Sequence, residues 1–201
     1  MKVLIVGGFG MAIGDGEVYW TLGETLAING NVTRLRECDQ TGKAAPVTSD
    51  DIIWADAVVC YSYGMASYIN LVHDLAKDWP NGKIHQLLVV VAGVPDFWMG
   101  QFYTDLWQLP AFVQLGRCFQ VDAIPASEPI QNGGNAWANF GDALPANTRW
   151  GNFNCDALFA SLLPVDKHTH IQNDPQVVSA IQSIFRSVAS PAGPESPPPA
   201  A

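Results

Sequence analysis

The feature that most constrains the fold of this chain is a serine placed between an apolar run and a helical pattern. Residues Ala57 to Cys60 are apolar without interruption, which predicts a buried strand. Ser62 follows directly beyond that run, and apolar residues then recur at helical spacing, at Ala66, Ile69, Leu71, Val72 and Leu75. A serine at the tip of a sharp strand-to-helix turn can be reached by a base, which is the layout of a nucleophile elbow.

Small residues on both sides of Ser62 fit this turn, because the strand and helix backbones pass close together there. Gly64 stands two residues after the serine, as in the pattern Gly-x-Ser-x-Gly, and Cys60 stands where that pattern has its first glycine. The alternative interpretation is a buried strand that ends in a polar turn, with Ser62 capping the following helix.

The composition is that of a globular protein with one core. The chain has 201 residues, of which 48% are hydrophobic and 14% charged, and this predicts a single domain over residues 1–189. The Pro/Ala/Ser-rich residues 190–201 are expected to be a disordered tail. The formal net charge is -9 and the basic residues form no cluster, so we expect no nucleic-acid partner and no anionic membrane surface as a partner.

The four cysteines lie far apart and form no C-x-x-C pair, so neither a metal site nor a redox motif is expected. Cys60 and Cys118 lie in apolar runs, where a free thiol packs as a small hydrophobic group. The sequence predicts no membrane span, and its first residues lack the pattern of a signal peptide. We therefore expect a cytoplasmic protein with reduced thiols, and the sequence predicts no particular oligomeric state.

Strand patterns alternate with helix patterns, which predicts a mainly parallel sheet with helices on both faces. Strands are expected at Val3 to Val6, Val32 to Cys38, Ala57 to Tyr61, Gln86 to Ala92 and Arg117 to Ile124, the fourth being the most hydrophobic and central. Helices are expected at Tyr19 to Asn29, Asp50 to Trp54, Met65 to Lys77 and Pro175 to Val188. The segment Asn132 to Asn154 reads as a long loop.

The loop after the first strand is rich in glycine and admits three interpretations. Gly8, Gly10 and Gly14 can form the phosphate loop of a nucleotide-binding protein. The same loop can be an oxyanion loop, whose backbone N–H points into a catalytic site, or a plain structural turn. The carboxylates of Asp15 and Glu17 favour the oxyanion loop over the phosphate loop, because they would repel a phosphate.

Two of the four histidines, His168 and His170, stand in a loop just before the last helix pattern. Asn173 or Asp174 can cap that helix, and Pro175 suits its first turn. A histidine in this loop could fold back over the serine turn. The other two histidines fall inside a helix pattern and just before a strand, where a structural or solvated role is expected.

Three segments of the chain resemble the alpha/beta-hydrolase family, in its small esterase and lipase-like form. They are the Gly-Gly-Phe-Gly turn after the first strand, the Tyr-Ser-Tyr-Gly elbow, and His168-x-x-Ile171-x-x-Asp174-Pro175-x-Val177 before the last helix. The likeness covers almost all of residues 3–188. It implies a three-layer alpha/beta-hydrolase-like fold with a mainly parallel central sheet and helices on both faces. It also implies a Ser–His–acid triad, with the acid between serine and histidine in the chain, and no metal or organic cofactor.

Carried over residue by residue, the resemblance makes Ser62 the nucleophile and His168 the general base. The backbone N–H groups of Phe9 and Tyr63 would form the oxyanion hole. His168 is preferred to His170 because its spacing to the start of the last helix suits the family.

The acid of the triad has three candidates. Asp122 closes an apolar run and precedes an aliphatic–proline pair, as the family's acid often does. Glu128 lies in the next loop and is the second choice. Asp156 is closer to His168 in the chain, but no strand end is evident before it.

The resemblance therefore implies a serine hydrolase that cleaves carboxylic esters through an acyl-enzyme, with a small-molecule ester as its partner. The aromatic segment at residues 95–110 can be a cap over the site or a helix packed on the sheet. Two alternatives stay open. One is a nucleotide-binding Rossmann-type protein, and the other is a hydrolase-fold protein without activity.

Overall fold

The computed structural model describes residues 1–8, 22–23, 26–27, 29–37, 45–62, 64–79, 85–91, 109–120, 149, 152–162, 170–171 and 174–189. The strands in these ranges are β1 (Lys2–Gly7), β2 (Val32–Glu37), β3 (Ala57–Tyr61), β4 (Gln86–Val91), β5 (Val113–Gln120) and β6 (Asn152–Asn154). The helices are α1 (Ser49–Trp54), α2 (Gly64–Asp78) and α3 (Pro175–Ala189), with a short 3-10 helix at Asp156–Phe159.

The six strands form one sheet in the order β2-β1-β3-β4-β5-β6, and every neighbouring pair is parallel. The chain leaves β1 for β2 on one side and returns to place β3 on the other side of β1. From β3 onward each strand is added at the same edge. The most hydrophobic strand, β4, lies beside β3 at the centre of the sheet, as the sequence predicts.

Successive side chains of the central strands point alternately into two separate cores, one on each face of the sheet. Every residue of β3 and β4 is buried, because both faces are covered by helices. Leu4 and Val58 pack with α1 and α2 on one face. Ile5 and Val59 pack with α3 on the other face, which also holds the helical residues Leu22 and Leu26. The predicted three-layer α/β architecture is confirmed.

The structure corrects two sequence predictions at the far edge of the sheet. β5 begins at Val113, four residues before the predicted start at Arg117. A bulge interrupts its pairing with β4, since Leu115 and Arg117 oppose consecutive residues and Gly116 is left over. That extra glycine breaks the apolar pattern on which the prediction depended.

The strand β6 lies at the end of the segment Asn132 to Asn154, for which the sequence predicts a long loop, and the prediction is wrong for these three residues. It has the sequence Asn-Phe-Asn, which carries no strand signal of its own, and it forms by pairing with β5 from Cys118 to Gln120. Asp156 therefore does follow a strand end, contrary to the expectation from the sequence, and it opens the short 3-10 helix.

A buried carboxylate ties the edge strand β2 to α1. Thr48 caps α1 in a capping box with Asp51, and Asp51 also accepts hydrogen bonds from Arg36 Nε at 2.7 Å and Arg34 Nη1 at 3.3 Å. Arg34 stacks on Trp54, with its guanidinium carbon 4.0 Å from the ring centre. Burial alone would raise the pKa of Asp51, but the hydrogen bonds from Arg36 and Thr48 outweigh it and the pKa lies below its usual value.

A second buried network ties α1 and α2 to the start of β4. The Tyr68 hydroxyl donates to Gln86 Oε1 at 2.6 Å. The amide of Gln86 donates in turn to the carbonyl oxygens of Ile52 and Ala55 at the end of α1. The side-chain oxygen and the side-chain amide group of Gln86 are thus both hydrogen-bonded. These bonds hold α2, the helix after the serine turn, in one position along the sheet. Within the described ranges, no helix is long and apolar enough to cross a membrane.

We expect Asp51→Asn to lower the free energy of unfolding by roughly 2 kcal/mol at pH 7. This is less than the cost for a fully buried pair, because both arginines are partly exposed. The pKa of Asp51 is lower in the folded protein than in the unfolded chain, where it is about 3.9. The ionised carboxylate therefore stabilises the fold at pH values above the unfolded-state pKa, and this stabilisation is lost as the pH falls through the folded-state pKa. Urea unfolding of both proteins between pH 7 and pH 2 should show their stabilities converging at the acid end. A difference that stays constant to pH 2 would contradict the ion-pair account.

Candidate active site

Ser62 stands at the carboxyl end of β3, where the chain reverses from strand to helix. Its backbone N–H donates to the carbonyl of Val91 at 3.0 Å, which extends the β3–β4 ladder by one bond. Its carbonyl accepts from the N–H of Met65 at 3.2 Å, which is already a bond of the helical turn. The whole change of direction is therefore made at Ser62 and the residue after it.

The backbone of Ser62 is strained. Its φ is 49°, and it is the only residue other than glycine with a positive φ among those the structure describes. An L-residue in this left-handed region costs on the order of 1 kcal/mol or more, and the conformation persists only where the surroundings impose it. Strain of this kind, on a serine between a strand and a helix, is the hallmark of a nucleophile elbow.

The close approach of α2 to β1 is what imposes that conformation. A Cβ atom built on Gly64 would lie 2.5 Å from the carbonyl oxygen of Val6 and 2.6 Å from that of Gly7. Real Cβ atoms do not come so near a backbone oxygen, so only glycine fits at the first residue of α2. The helix thus begins directly against the carboxyl end of β1, and Ser62 must turn within one residue to reach it.

The start of the glycine loop lies beside Ser62. A Cβ atom built on Gly8 would be 3.0 Å from Ser62 Cβ and 3.0 Å from Cδ1 of Tyr61. The backbone of Gly8 therefore packs against the serine and the ring before it, and a side chain at this position would fit only if Ser62 or Tyr61 shifted by a few tenths of an ångström.

Gly8 and Ser62 both lie where the strand order reverses. The chain leaves β1 toward β2 on one side, and it leaves the neighbouring strand β3 toward β4 on the other side. In parallel sheets such a point leaves a crevice outside the carboxyl ends of the two strands, and ligands bind there. The sequence singled out both loops separately, and the sheet brings them to one crevice.

The charge of the backbone at this crevice favours an anion. α2 has 15 residues and starts two residues after Ser62, so its positive end faces the serine. Its first turn carries no acidic residue that would neutralise this partial charge. A negative charge that develops on or beside the serine oxygen would be stabilised by the helix end.

Cys60 occupies the place of the first glycine in the elbow pattern. Its side chain is fully buried in the core with Met65, on the face of the sheet that α2 covers. Burial raises the pKa of its thiol well above the usual value, so the sulfur stays neutral and packs as an apolar group. Cys60 is thus a core residue under α2, and Cys118 and Cys155 are also buried thiols that take part in no disulfide among the described residues.

The segment before the last helix is anchored at two points. Ile171 is fully buried in the same cluster as Tyr61 and Val91. Asp174 caps α3, since its Oδ1 accepts from the N–H groups of Gln176 at 2.8 Å and Val177 at 3.1 Å. The predicted cap is confirmed, and Pro175 is the first residue of the helix. His170 is exposed to solvent.

Four of the predicted site residues lie outside the described residues. These are Phe9, Tyr63, Asp122 and His168, and the second-choice acid Glu128 lies outside them as well. Their roles stay predictions. Within the described part of the chain, no group of three or more His, Cys, Asp or Glu side chains could hold a metal ion.

Comparison with known proteins supports the fold independently. No protein-family model matches the chain, and no curated protein matches it. A solved structure, described as the esterase domain from a Rhodothermus marinus protein, is similar with a TM-score of 0.53 and 9% identity. The similarity covers 94% of this chain and 85% of that one. The chain therefore has a three-layer α/β fold like that of an esterase domain, consistent with an alpha/beta-hydrolase-like fold.

We expect Gly64→Ala to destabilise the protein by about 2 kcal/mol or more, because the new methyl group would force α2 away from β1. In a chain of this length that corresponds to a fall in Tm of roughly 5 °C. Gly23→Ala is the matched control, since its Cβ would meet Leu35 at an ordinary 3.6 Å. Thermal unfolding followed by circular dichroism should show a loss for Gly64→Ala and none for Gly23→Ala. Equal melting temperatures for the two variants would contradict the close approach.

Proposed function

We propose that this chain is a serine hydrolase that cleaves carboxylic esters, with Ser62 as the nucleophile. The observation that carries the proposal is the left-handed backbone of Ser62 at the point where the strand order reverses. A protein that needed only a turn there would use glycine and avoid the strain. A serine kept in this conformation suggests that its hydroxyl has a function.

His168 is proposed as the general base. The support is the anchoring of its segment, since Ile171, three residues later, is buried in the cluster that contains Tyr61. Tyr61 is the residue before the nucleophile. A loop held at Ile171 starts within reach of the serine turn, and a histidine three residues earlier can turn back toward it. His170 is exposed, which favours His168 for the role.

Asp122 is proposed as the acid of the triad. β5 ends at Gln120, two residues before it, and β5 lies two strands away from β3. At a spacing of about 4.8 Å between strands, the two carboxyl ends are about 10 Å apart. An imidazole ring that hydrogen-bonds on both sides can bridge a serine and a carboxylate at this separation. Asp156 follows β6 and is one strand further away, which favours Asp122.

The oxyanion hole would consist of the N–H groups of Phe9 and Tyr63. Phe9 follows Gly8, whose backbone packs against Ser62, and Tyr63 connects Ser62 to the positive end of α2. Each donor of this kind contributes about 3 kcal/mol to transition-state stabilisation in known hydrolases. The partial charge of the helix end adds to the same effect.

The reaction follows from these roles. Ser62 Oγ attacks the ester carbonyl while His168 takes its proton, and the tetrahedral oxyanion is bound by the two N–H groups. His168 then gives the proton to the leaving alcohol, which departs and leaves the acyl group on Ser62. A water molecule, deprotonated by the same histidine, attacks the acyl-enzyme and releases the carboxylic acid. Asp122 would hold the imidazole in the tautomer that accepts the proton from serine.

The strand order separates this sheet from dinucleotide-binding domains of the 3-2-1-4-5-6 type, because β3 lies next to β1 and not beyond β2. The order 2-1-3-4-5 of its first five strands is shared with flavodoxin-like proteins, which bind a mononucleotide, so the choice between a hydrolase and a nucleotide-binding protein rests on Ser62 and not on the sheet. The similar structure from Rhodothermus marinus is described as an esterase domain, which favours ester hydrolysis.

We expect the protein to react with a fluorophosphonate probe, and Ser62→Ala to abolish this labelling together with the hydrolysis of a short p-nitrophenyl ester. The probe reacts only with an activated serine, so labelling reports the nucleophile without knowledge of the substrate. Ser179→Ala is the matched control, because Ser179 is exposed on α3 and belongs to none of the segments of the proposed site. The control should label as the native protein does, and circular dichroism should show both variants folded.

Labelling that persists in Ser62→Ala would contradict the assignment of the nucleophile. A native protein that does not label but binds NAD(P) tightly would be a nucleotide-binding protein. A native protein that does neither would be a hydrolase-fold protein without activity.

We expect His168→Ala to reduce kcat to nearly the level of Ser62→Ala, because the members of a triad act as a unit. His170→Ala should retain at least about a third of native activity, since an exposed imidazole can be lost without disturbing the triad. Steady-state kinetics on the same ester measures both. If the two variants exchange places, His170 is the base.

A further inference from the structure

Tyr61 is the last residue of β3, and its ring touches the glycine loop. The strand alternation turns its side chain away from α2, into the core that α3 covers. The ring is 3% exposed. Its Cδ1 and Cε1 atoms lie 3.0 Å and 3.2 Å from the place where a Cβ of Gly8 would be. The ring therefore packs directly against the Gly8 backbone.

The cluster around Tyr61 also supports the other loops of the proposed site. Ile171 belongs to it and holds the segment that carries His168. Phe119 belongs to it and lies three residues before Asp122, near the end of β5. The side chain of Tyr61 thus belongs to one apolar core with Ile171 and Phe119, the described residues that lie closest in the chain to His168 and Asp122 on that face.

The phenol of Tyr61 carries no charge at the pH of an activity assay, because burial raises its pKa well above its usual value. The part of Tyr61 that lies against Gly8 is its ring, through Cδ1 and Cε1. The ring touches Gly8, and Gly8 is the residue before the proposed oxyanion donor Phe9.

We propose that Tyr61 is a positioning residue whose ring sets the distance between the Phe9 N–H and Ser62 Oγ. The inference rests on the proposed function. Without the ring, the backbone at Gly8 can settle into the vacated space and draw the N–H of Phe9 away from the oxyanion. Oxyanion contacts strengthen in the transition state, so their loss lowers kcat and leaves KM nearly unchanged. A displacement of about 1 Å is enough to cost up to 100-fold in rate.

The kinetic test compares Tyr61→Phe, Tyr61→Leu and Phe185→Leu. Tyr61→Phe keeps the atoms that touch Gly8 and should keep kcat within about threefold of native, whereas Tyr61→Leu should lower kcat by about 10- to 100-fold at unchanged KM. Phe185→Leu removes a ring from the same core, on α3 and away from Gly8, and should leave the kcat of the folded protein unchanged. The rate of fluorophosphonate labelling should follow kcat, since its adduct uses the same oxyanion contacts.

A double-mutant cycle gives a readout that does not depend on activity. Gly8→Ala should lower Tm in the native background, because its Cβ meets both Ser62 and the Tyr61 ring. In the Tyr61→Leu background one of these two contacts is relieved, so the same change should cost less. Additive losses of Tm would show that the ring does not press on Gly8 and would overturn the proposal.

The outcomes separate this inference from the proposed function. If the native enzyme is active but Tyr61→Leu is no slower than Phe185→Leu, Tyr61 has no positioning role and the hydrolase assignment stands. If Tyr61→Leu raises KM as much as it lowers kcat, Tyr61 shapes substrate binding and the proposal is wrong. If the native protein neither labels nor hydrolyses esters, the proposed function fails and the positioning role fails with it.

Discussion

The contact between the first residue of α2 and the carboxyl end of β1 governs the geometry of the candidate site. The helix begins so close to the carbonyl oxygens of Val6 and Gly7 that no side chain fits at Gly64. β3 ends beside β1 and is still hydrogen-bonded to β4 through the N–H of Ser62. Only two residues, 62 and 63, separate β3 from α2, and the backbone of Ser62 adopts the left-handed conformation. The strain at Ser62 is therefore a consequence of how tightly a strand and a helix are joined.

The packing of the surrounding layers offsets the free-energy cost of the strained backbone at Ser62. β3 and β4 are buried on both faces, and their side chains alternate between two cores. The Tyr68–Gln86 network fixes α2 along the sheet, and α1 is fixed by the same amide. A strained turn costs a small part of what such a scaffold contributes, so the serine can be kept in a conformation that a flexible loop would relax.

Several elements could be predicted from the sequence because their signals are local. The apolar runs of β3 and β4 and the cap at Asp174 are each encoded within a few neighbouring residues. β6 could not be predicted, since Asn-Phe-Asn becomes a strand only by pairing with β5. The start of β5 could not be predicted either, because the bulge at Gly116 interrupts its apolar pattern.

The candidate site also has parts that the local sequence predicts and parts that it does not. The serine turn was visible from its small flanking residues, and Gly64 proved to be the essential one. The contacts of Gly8 with Ser62 and Tyr61 join residues more than 50 positions apart, so no local pattern could predict them. Cys60 departs from the family pattern, and the structure explains why it is tolerated, because its side chain points into the core and away from the glycine loop.

A crystal structure of the protein after reaction with a phosphonate inhibitor would show whether Ser62 is the nucleophile. We expect a covalent bond from phosphorus to Ser62 Oγ, with the phosphonyl oxygen bound by the N–H groups of Phe9 and Tyr63. We also expect His168 within hydrogen-bond distance of Ser62 Oγ and Asp122 on the other ring nitrogen. Phosphorus bound to a different residue, or an adduct whose phosphonyl oxygen faces away from the glycine loop, would show that Ser62 is not the nucleophile of such a site.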